Sequence, residues 1–352
     1  MIVSFCRCSG LFAVLIGLML ISVACFNSET SSSIAFVSEI DGDAEIFLLE
    51  PNSGNTTRIT SNGGSDVYPS WSPDRTKIAY LSDQSGNYKV YIANPSEGVI
   101  NRMLVDSDIR IEPLKPIWSP DGSMLSFSAS SDGDTDLYLA DANVESRQDA
   151  TRITFNPGAE HLGGWSPDGE WVVFHSLGLS EYQGIWIRNP KGVNSIRLTD
   201  KDDRDAKWSP KGDRIVFTRY GKDGQTRICL LVVASKGDWS NSGESNPDER
   251  CLTDTAENSR SPMWAPSGEL LAYVSSVNGT MEIFTMDSEG LESQQKTTNS
   301  VDDLYPVWAP DGKEIAFISY LYGLGEIIIL DVSDGTHNRL TENDAQDHSH
   351  NW

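Results

Sequence analysis

Short apolar runs recur along the chain at nearly even intervals, each bounded by Gly, Pro, Asn, Asp or Ser. One set runs Lys77-Ile-Ala-Tyr-Leu-Ser82, Met124-Leu-Ser-Phe-Ser128, Trp171-Val-Val-Phe-His175, Arg214-Ile-Val-Phe-Thr218, Leu270-Leu-Ala-Tyr-Val274 and Glu314-Ile-Ala-Phe-Ile318. A polar turn follows each, and then a second set: Lys89-Val-Tyr-Ile92, Asp136-Leu-Tyr-Leu139, Gly184-Ile-Trp-Ile187, Ile228 to Val233, Glu282-Ile-Phe-Thr285 and Glu326 to Leu330. Runs this short, rich in β-branched and aromatic residues, predict strands. A closing segment such as Thr151-Arg-Ile-Thr154, Ile196-Arg-Leu-Thr199, Arg250-Cys-Leu-Thr253 or Asn338-Arg-Leu-Thr341 ends each unit.

Each unit opens on a tryptophan and a turn. Trp-Ser-Pro-Asp-Gly stands intact at Trp118 to Gly122 and Trp165 to Gly169, with near copies starting at Trp71, Trp208, Trp264 and Trp308; Trp352 is the last residue. These seven tryptophans are 47, 47, 43, 56, 44 and 44 residues apart in turn. Pro presets φ at the second turn position, Asp suits the third, and Gly accepts the positive φ that follows. The flat Trp beside the turn suits packing between neighbouring sheets. A period of this size, with four strands per unit, predicts propeller blades.

The two ends complete one another. Ile34-Ala-Phe-Val-Ser38, Glu45-Ile-Phe-Leu-Leu49 and Thr57-Arg-Ile-Thr60 read as strands two to four of a blade that lacks its first. Asp347 to Trp352 reads as a first strand with nothing after it. Sharing that blade closes the ring and hides its edge strands. The prediction is therefore an all-β, seven-bladed propeller of four-stranded antiparallel blades over residues 34–352.

Arg-Ile/Leu-Thr, an acidic residue five before Trp, Trp-Ser-Pro-Asp-Gly and then Ile-Ala-Phe resemble the TolB-type β-propeller repeat. The resemblance covers about residues 34 to 352. It implies a binding scaffold that uses a channel mouth for a partner or an ion. TolB itself resembles an α/β domain followed by six blades; here there is no room for that domain, and seven blades are counted. The repeat also resembles, more loosely, the propellers of prolyl oligopeptidase-type enzymes. Their chemistry needs a Ser nucleophile in a Gly-x-Ser-x-Gly elbow, a pentapeptide absent from this chain.

The N-terminus is a separate object. Arg7 is the only charge before an apolar run from Leu11 to Ala24. The run is short for a membrane span and suits a signal peptide. Ser22-Val-Ala-Cys25 resembles the end of a bacterial lipoprotein signal. This predicts a signal over 1–25, lipid on Cys25, and a polar tether over 26–33. The protein would then be a cell-envelope lipoprotein, held to the membrane by lipid alone; the alternative is a soluble periplasmic or secreted form. Export agrees with the cysteines: Cys229 and Cys251 flank one long loop on predicted strands and are expected to form a disulfide. That loop, from Ala234 to Glu249, carries Trp239 as a candidate contact.

The net charge of −24 argues against nucleic acid, whose phosphates would repel the chain. It also directs attention to carboxylates near the starts of the first strands: Asp66, Glu160, Asp203, Asp205, Asp303 and Asp347, with His161 and His348 at equivalent places. Such a ring at a channel mouth could hold a divalent cation such as Ca2+, or a basic peptide segment. The Asp-rich segments Ser131 to Asp136 and Glu39 to Asp43 lack calcium-loop spacing and read as turns. Seven-bladed relatives of this repeat include pectate-fragment lyases with metal-binding histidines, but their His pattern is not found here. The functional expectation is a monomeric, non-catalytic propeller binding an envelope protein or polysaccharide; the alternative is a metal-dependent, lyase-like enzyme. If Cys25 carries lipid, Cys25→Ala will move the protein from the membrane to the soluble fraction on fractionation; unchanged partitioning would rule out the anchor.

Overall fold

The computed structural model describes residues 33–352, apart from 98–99, 107, 132, 145, 179, 193, 234–247 and 255–256. Cys25, expected to carry lipid, and Trp239 lie outside the described residues. The chain forms seven antiparallel sheets arranged as blades around a central channel. From the channel outward, blade 1 holds Asp347–Asn351, Ile34–Ser38, Glu45–Leu49 and Thr56–Arg58. Blade 2 opens on Asp66–Trp71, blade 4 on Glu160–Trp165, blade 5 on Asp203–Trp208, blade 6 on Ser259–Trp264 and blade 7 on Asp303–Trp308.

The middle strands are buried on both faces. Ile78–Ser82 and Val172–Ser176 are buried at every position, which is why they read as unbroken apolar runs rather than alternations. The core lies between blades. One cluster joins Ala35, Ile46 and Leu48 of blade 1 to Trp71, Ile78 and Tyr80 of blade 2. Another joins Val274 and Ile283 of blade 6 to Trp308, Phe317 and Ile328 of blade 7.

The tryptophan motif serves this stacking twice. The indole N–H of Trp118 donates to Ser70 O at 2.9 Å, that of Trp308 to Met263 O at 3.1 Å, and that of Trp264 to Lys207 O at 3.3 Å. In each case the acceptor is the residue just before the preceding blade's Trp. Trp165 departs and donates to Ser126 Oγ at 2.9 Å. The turns stack as well. Gly122, at φ 69°, lies against Pro73 of the preceding turn, and Gly169 lies against Pro120 in the same way. Blade 2 has Arg75 at the glycine place, with φ 58°. Its guanidinium covers the Trp71 ring at 4.6 Å and donates to Ser33 O at 2.6 Å, so the exception ties down the start of blade 1.

The closing segments are explained by two bonds. The Thr hydroxyl of Arg-Ile/Leu-Thr accepts the N–H of the third strand's second residue, as in Ile46 N to Thr60 Oγ1 at 2.8 Å and Ile327 N to Thr341 Oγ1 at 2.9 Å. The Arg pairs with a buried acid on that strand: Arg58 with Glu45 at 2.8 Å and Arg339 with Glu326 at 2.7 Å. In blade 5, Cys229 and Cys251 stand opposite one another on the third and fourth strands and are joined as a disulfide.

Blade 3 breaks the pattern. Its innermost strand is split into Arg110–Ile111 and Ile117–Trp118. Pro113 and Pro116 fall in the gap, and neither has an N–H to give the ladder. Lys115 sits between them.

Blade 1 closes the ring. Ala35 pairs with Asn351, Val37 with His348 and Ser38 with Asp347. Asn351 Oδ1 also accepts the Trp71 N–H at 2.8 Å, tying the closing strand to blade 2. Trp352 is 8% exposed in the cluster between blades 7 and 1. Trp352→Ala is expected to lower unfolding stability by about 3–5 kcal/mol, the usual cost of emptying a large aromatic site. Deleting residues 347–352 should lower the melting temperature further. A deletion variant that melts with the parent would show that the ring does not depend on this strand.

Candidate functional site

The acids expected at the channel mouth are held inside the blades. Asp66, Glu160, Asp203, Asp303 and Asp347 are each 0% exposed. Four accept a hydrogen bond from an Asn four residues earlier: Asn62 to Asp66 at 2.6 Å, Asn156 to Glu160 at 2.9 Å, Asn299 to Asp303 at 2.7 Å and Asn343 to Asp347 at 2.9 Å. Three of these asparagines also bind a backbone N–H two residues on, which fixes the loop between blades. Blade 5 has Thr199 where the Asn would be, and there Arg219 grips Asp203 through both oxygens at 2.7 and 2.8 Å. These carboxylates hold separate blade corners. Among the described residues, no three His, Cys, Asp or Glu side chains group to hold a metal ion. The Asn-x-x-x-Asp/Glu spacing was the sequence signal for this arrangement.

Burial sets the protonation of these acids. It raises Glu160 to about 7, against bonds from Thr154 and Asn156 that pull it down. It raises Asp66 to about 6 and pushes Asp303 and Asp347 the same way. At neutral pH a share of this ring is uncharged.

The surface open to the channel comes from the next positions. Each innermost strand except that of blade 3 slips register before its Trp. In five blades the third residue before Trp adopts positive φ: Tyr68 at 57°, Asp205 at 55°, Ser261 at 56°, Tyr305 at 59° and Ser349 at 52°. Non-glycine residues hold this conformation at a cost of about 1–3 kcal/mol, and such outliers gather at functional sites. Tyr305 is 59% exposed. Burial, and then Tyr305 itself, raises the Tyr68 phenol. The two residues lie on blades separated by blade 1.

His161 and His175 pair across neighbouring strands, their rings edge to face at 5.0 Å. His175 is 6% exposed and its Nδ1 has no partner. Burial, then His161, Arg204 and Lys207, push its pKa down to about 3, so it is neutral. His350 is buried, with Nε2 3.1 Å from Ala316 O, and burial pushes it down to about 4. His348 stands apart on blade 1, with Nδ1 2.9 Å from Ser349 Oγ and Nε2 3.6 Å from Glu39. His161 and His348 are therefore not brought together. Lys207, which no sequence pattern singled out, reaches blade 4 and donates from Nζ to Gly163 O at 2.8 Å.

Above the mouth, the loops of blades 7 and 1 form an apolar strip. Leu321, Tyr322 and Leu324 are exposed on one loop, and Ile40 is exposed on the other. The two blades are joined by Asp347 N to Gly325 O at 2.9 Å and Glu39 N to Gln346 O at 3.2 Å. Arg339 lies over the Tyr322 ring at 4.0 Å.

The buried acids make stability depend on pH. Unfolded Glu160 titrates near 4.5 and the folded group near 7. Its contribution to stability is therefore complete below the lower value and lost as pH rises through the upper one. The loss amounts to about 3 kcal/mol. His175 and His350 act oppositely, costing stability as pH falls below about 6.5, so the comparison must be with a variant. Relative to the parent, Glu160→Gln should gain about 3 kcal/mol in urea unfolding between pH 5 and pH 8.5. A constant difference over that range would mean that Glu160 is not protonated in the fold.

Comparison with known proteins agrees with the repeat and the ring. A family described as TolB beta propeller domain matches residues 20–115, 108–250 and 246–352. A TolB homolog of Chlorobium luteolum is 36% identical over 72 residues, which are 20% of this chain and 16% of that protein. An uncharacterized protein of Agrobacterium fabrum is 32% identical over 244 residues, 66% of this chain and 62% of its own length. Among solved structures, an oligogalacturonate lyase in complex with manganese aligns with a TM-score of 0.69 at 17% identity, covering 86% of this chain and 87% of that one. That likeness shows the fold alone. By its repeat, its ring and the family match over nearly its whole length, this chain belongs to the TolB β-propeller domain family.

Proposed function

We propose that the protein is an exported propeller of the cell envelope, anchored by lipid at Cys25, that works as a monomer and binds a protein partner through the face bearing the channel mouth. The observation that carries this reading is the apolar strip of blades 7 and 1. Tyr305, Tyr322, Ile40 and Leu321 are 59%, 52%, 54% and 49% exposed beside strained mouth residues. Exposed aromatic and branched side chains gathered on one face are what a binding surface needs and what a solvated surface avoids. The opposite face carries the polar Ser-Pro-Asp turns. Kinship with proteins called TolB supports an envelope role, and a polysaccharide is the alternative partner.

A second reading has one observation of its own. The paired imidazoles of His161 and His175 lie by the channel of a fold shared with a manganese-containing lyase. If that pair served metal-dependent cleavage, digalacturonate incubated with manganese would give an unsaturated product. The binding reading expects none.

The test of the binding reading is capture from detergent-solubilised envelopes, followed by identification of the retained protein. Tyr322→Ala combined with Leu321→Ala should lose that partner by at least tenfold. Leu291→Ser, at an exposed site on the opposite face, should keep it. Equal capture by both variants would place the contact elsewhere.

A further inference from the structure

Between blades 3 and 4, on the face away from the channel mouth, lies a cleft of about 910 Å3. Its walls are the Trp-Ser-Pro-Asp-Gly turns of the two blades and the turn after the third strand of blade 4, Asn189 to Lys191. Met124, Leu139, Ile153 and Trp165 give it an apolar lining. Trp71, Trp118, Trp264, Trp308 and Trp352 are buried, whereas Trp165, like Trp208, is only partly so. The Trp165 N–H is already satisfied by Ser126 Oγ at 2.9 Å. What Trp165 offers the cleft is therefore its ring, not its donor. The charged groups around that ring are Asp121, Asp168 and Glu170 against one ammonium, Lys191. Bonds from Ser119, and then Ser123, hold the Asp121 carboxyl down to about 2, so it stays ionised.

Elsewhere in the ring the chain fills this space with its own basic side chains. Between blades 1 and 2, Arg75 stands at the glycine place of the turn, with φ 58°, and lays its guanidinium over the Trp71 ring at 4.6 Å. Between blades 5 and 6, Lys211 pairs with Glu269, and Arg214 pairs with Glu289 and donates to Ser288 O at 3.0 Å. Between blades 3 and 4 neither place carries a cation. The turn has Gly169, at φ 72°, and a side chain there would start out against Pro120 on the cleft wall. Met124 holds the strand position that Arg214 holds in blade 5, six residues after the blade's Trp. Arg188, beside the Asn189 turn, is buried and donates to Gly192 O at 2.9 Å and Ser195 Oγ at 3.4 Å of its own blade.

We propose that the cleft between blades 3 and 4 binds an arginine side chain presented by a partner peptide, its guanidinium on the Trp165 ring and its N–H groups toward the carboxylates of the rim. A planar guanidinium stacks on an indole and meets carboxylates through two donors at once. The aliphatic stem of the arginine would cover Met124 and Ile153. The contact repeats, from outside, the one that Arg75 makes with Trp71 inside the chain. This site lies on the face opposite the apolar strip and does not rest on it.

The experiment is calorimetric titration of the full-length protein, at low salt, with acetyl-Gly-Arg-Gly-amide and with the same peptide carrying citrulline, which keeps the shape and loses the charge. Saturable binding of the arginine peptide is expected, stronger than that of the citrulline peptide by about tenfold or more. Glu170→Lys, at an exposed rim position, should weaken it by about tenfold or more as well. Glu181→Lys makes the same charge change at an exposed site on the mouth side of blade 4 and should bind as the parent does. Gly169→Arg should abolish binding by filling the cleft from within, and it should fold, because Arg75 holds the same backbone conformation. Melting curves check that each variant is folded. The proposal is overturned if the parent does not bind the arginine peptide, if the citrulline peptide binds equally well, if Glu170→Lys and Glu181→Lys bind alike, or if folded Gly169→Arg binds as the parent does.

Discussion

A four-stranded blade cannot bury both of its faces alone, and everything else in this fold follows from how neighbours are made to share them. The tryptophan before each turn is the shared part. Its ring fills the space between two blades, and at Trp118, Trp264 and Trp308 its N–H satisfies a carbonyl on the preceding blade's innermost strand. A buried indole without that bond would carry an unmet donor, at a cost of about 1–3 kcal/mol. Where it forms, the contact is directional and reaches back to the blade before; the indole N–H groups of Trp71 and Trp208 are buried without it, and there the ring packing alone joins the blades. Closure falls to the last residue, Trp352, and to the pairing of Asp347–Asn351 with Ile34–Ser38.

The ring was legible in the sequence because its causes are local and repeated. Pro-Asp-Gly fixes a turn wherever it stands, and Arg-Ile/Leu-Thr carries a side-chain bond to the adjacent strand. The seventh blade could be assembled from the two chain ends because each end keeps its part of the same pattern. The split strand of blade 3 was legible in part, since Pro113 and Pro116 announce missing donors.

The candidate site was harder to read because sequence position gives the place of a residue on a strand, not the side to which it turns. Asp66 and Tyr68 are two residues apart, and regular alternation would put them on one face. The register slip between Val67 and Ser70 separates them. Asp66 is buried and accepts from Asn62, whereas Tyr68 is half-buried. The same slip, with positive φ, recurs at Asp205, Ser261, Tyr305 and Ser349. An acid five residues before Trp is therefore an internal brace, and the residue two places later is what a ligand would meet.

That separation also reverses the electrostatic picture drawn from composition. A net charge of −24 suggests an acidic channel, yet the acids nearest it are enclosed by their own blades, and burial moves several of them toward neutrality. The same burial holds His175 and His350 neutral. Lys207, for its part, is bonded to Gly163 O and has Asp205 acting on it. Burial inside the blades therefore sets the charge of these groups, and composition alone overstates how acidic the interior of the ring is.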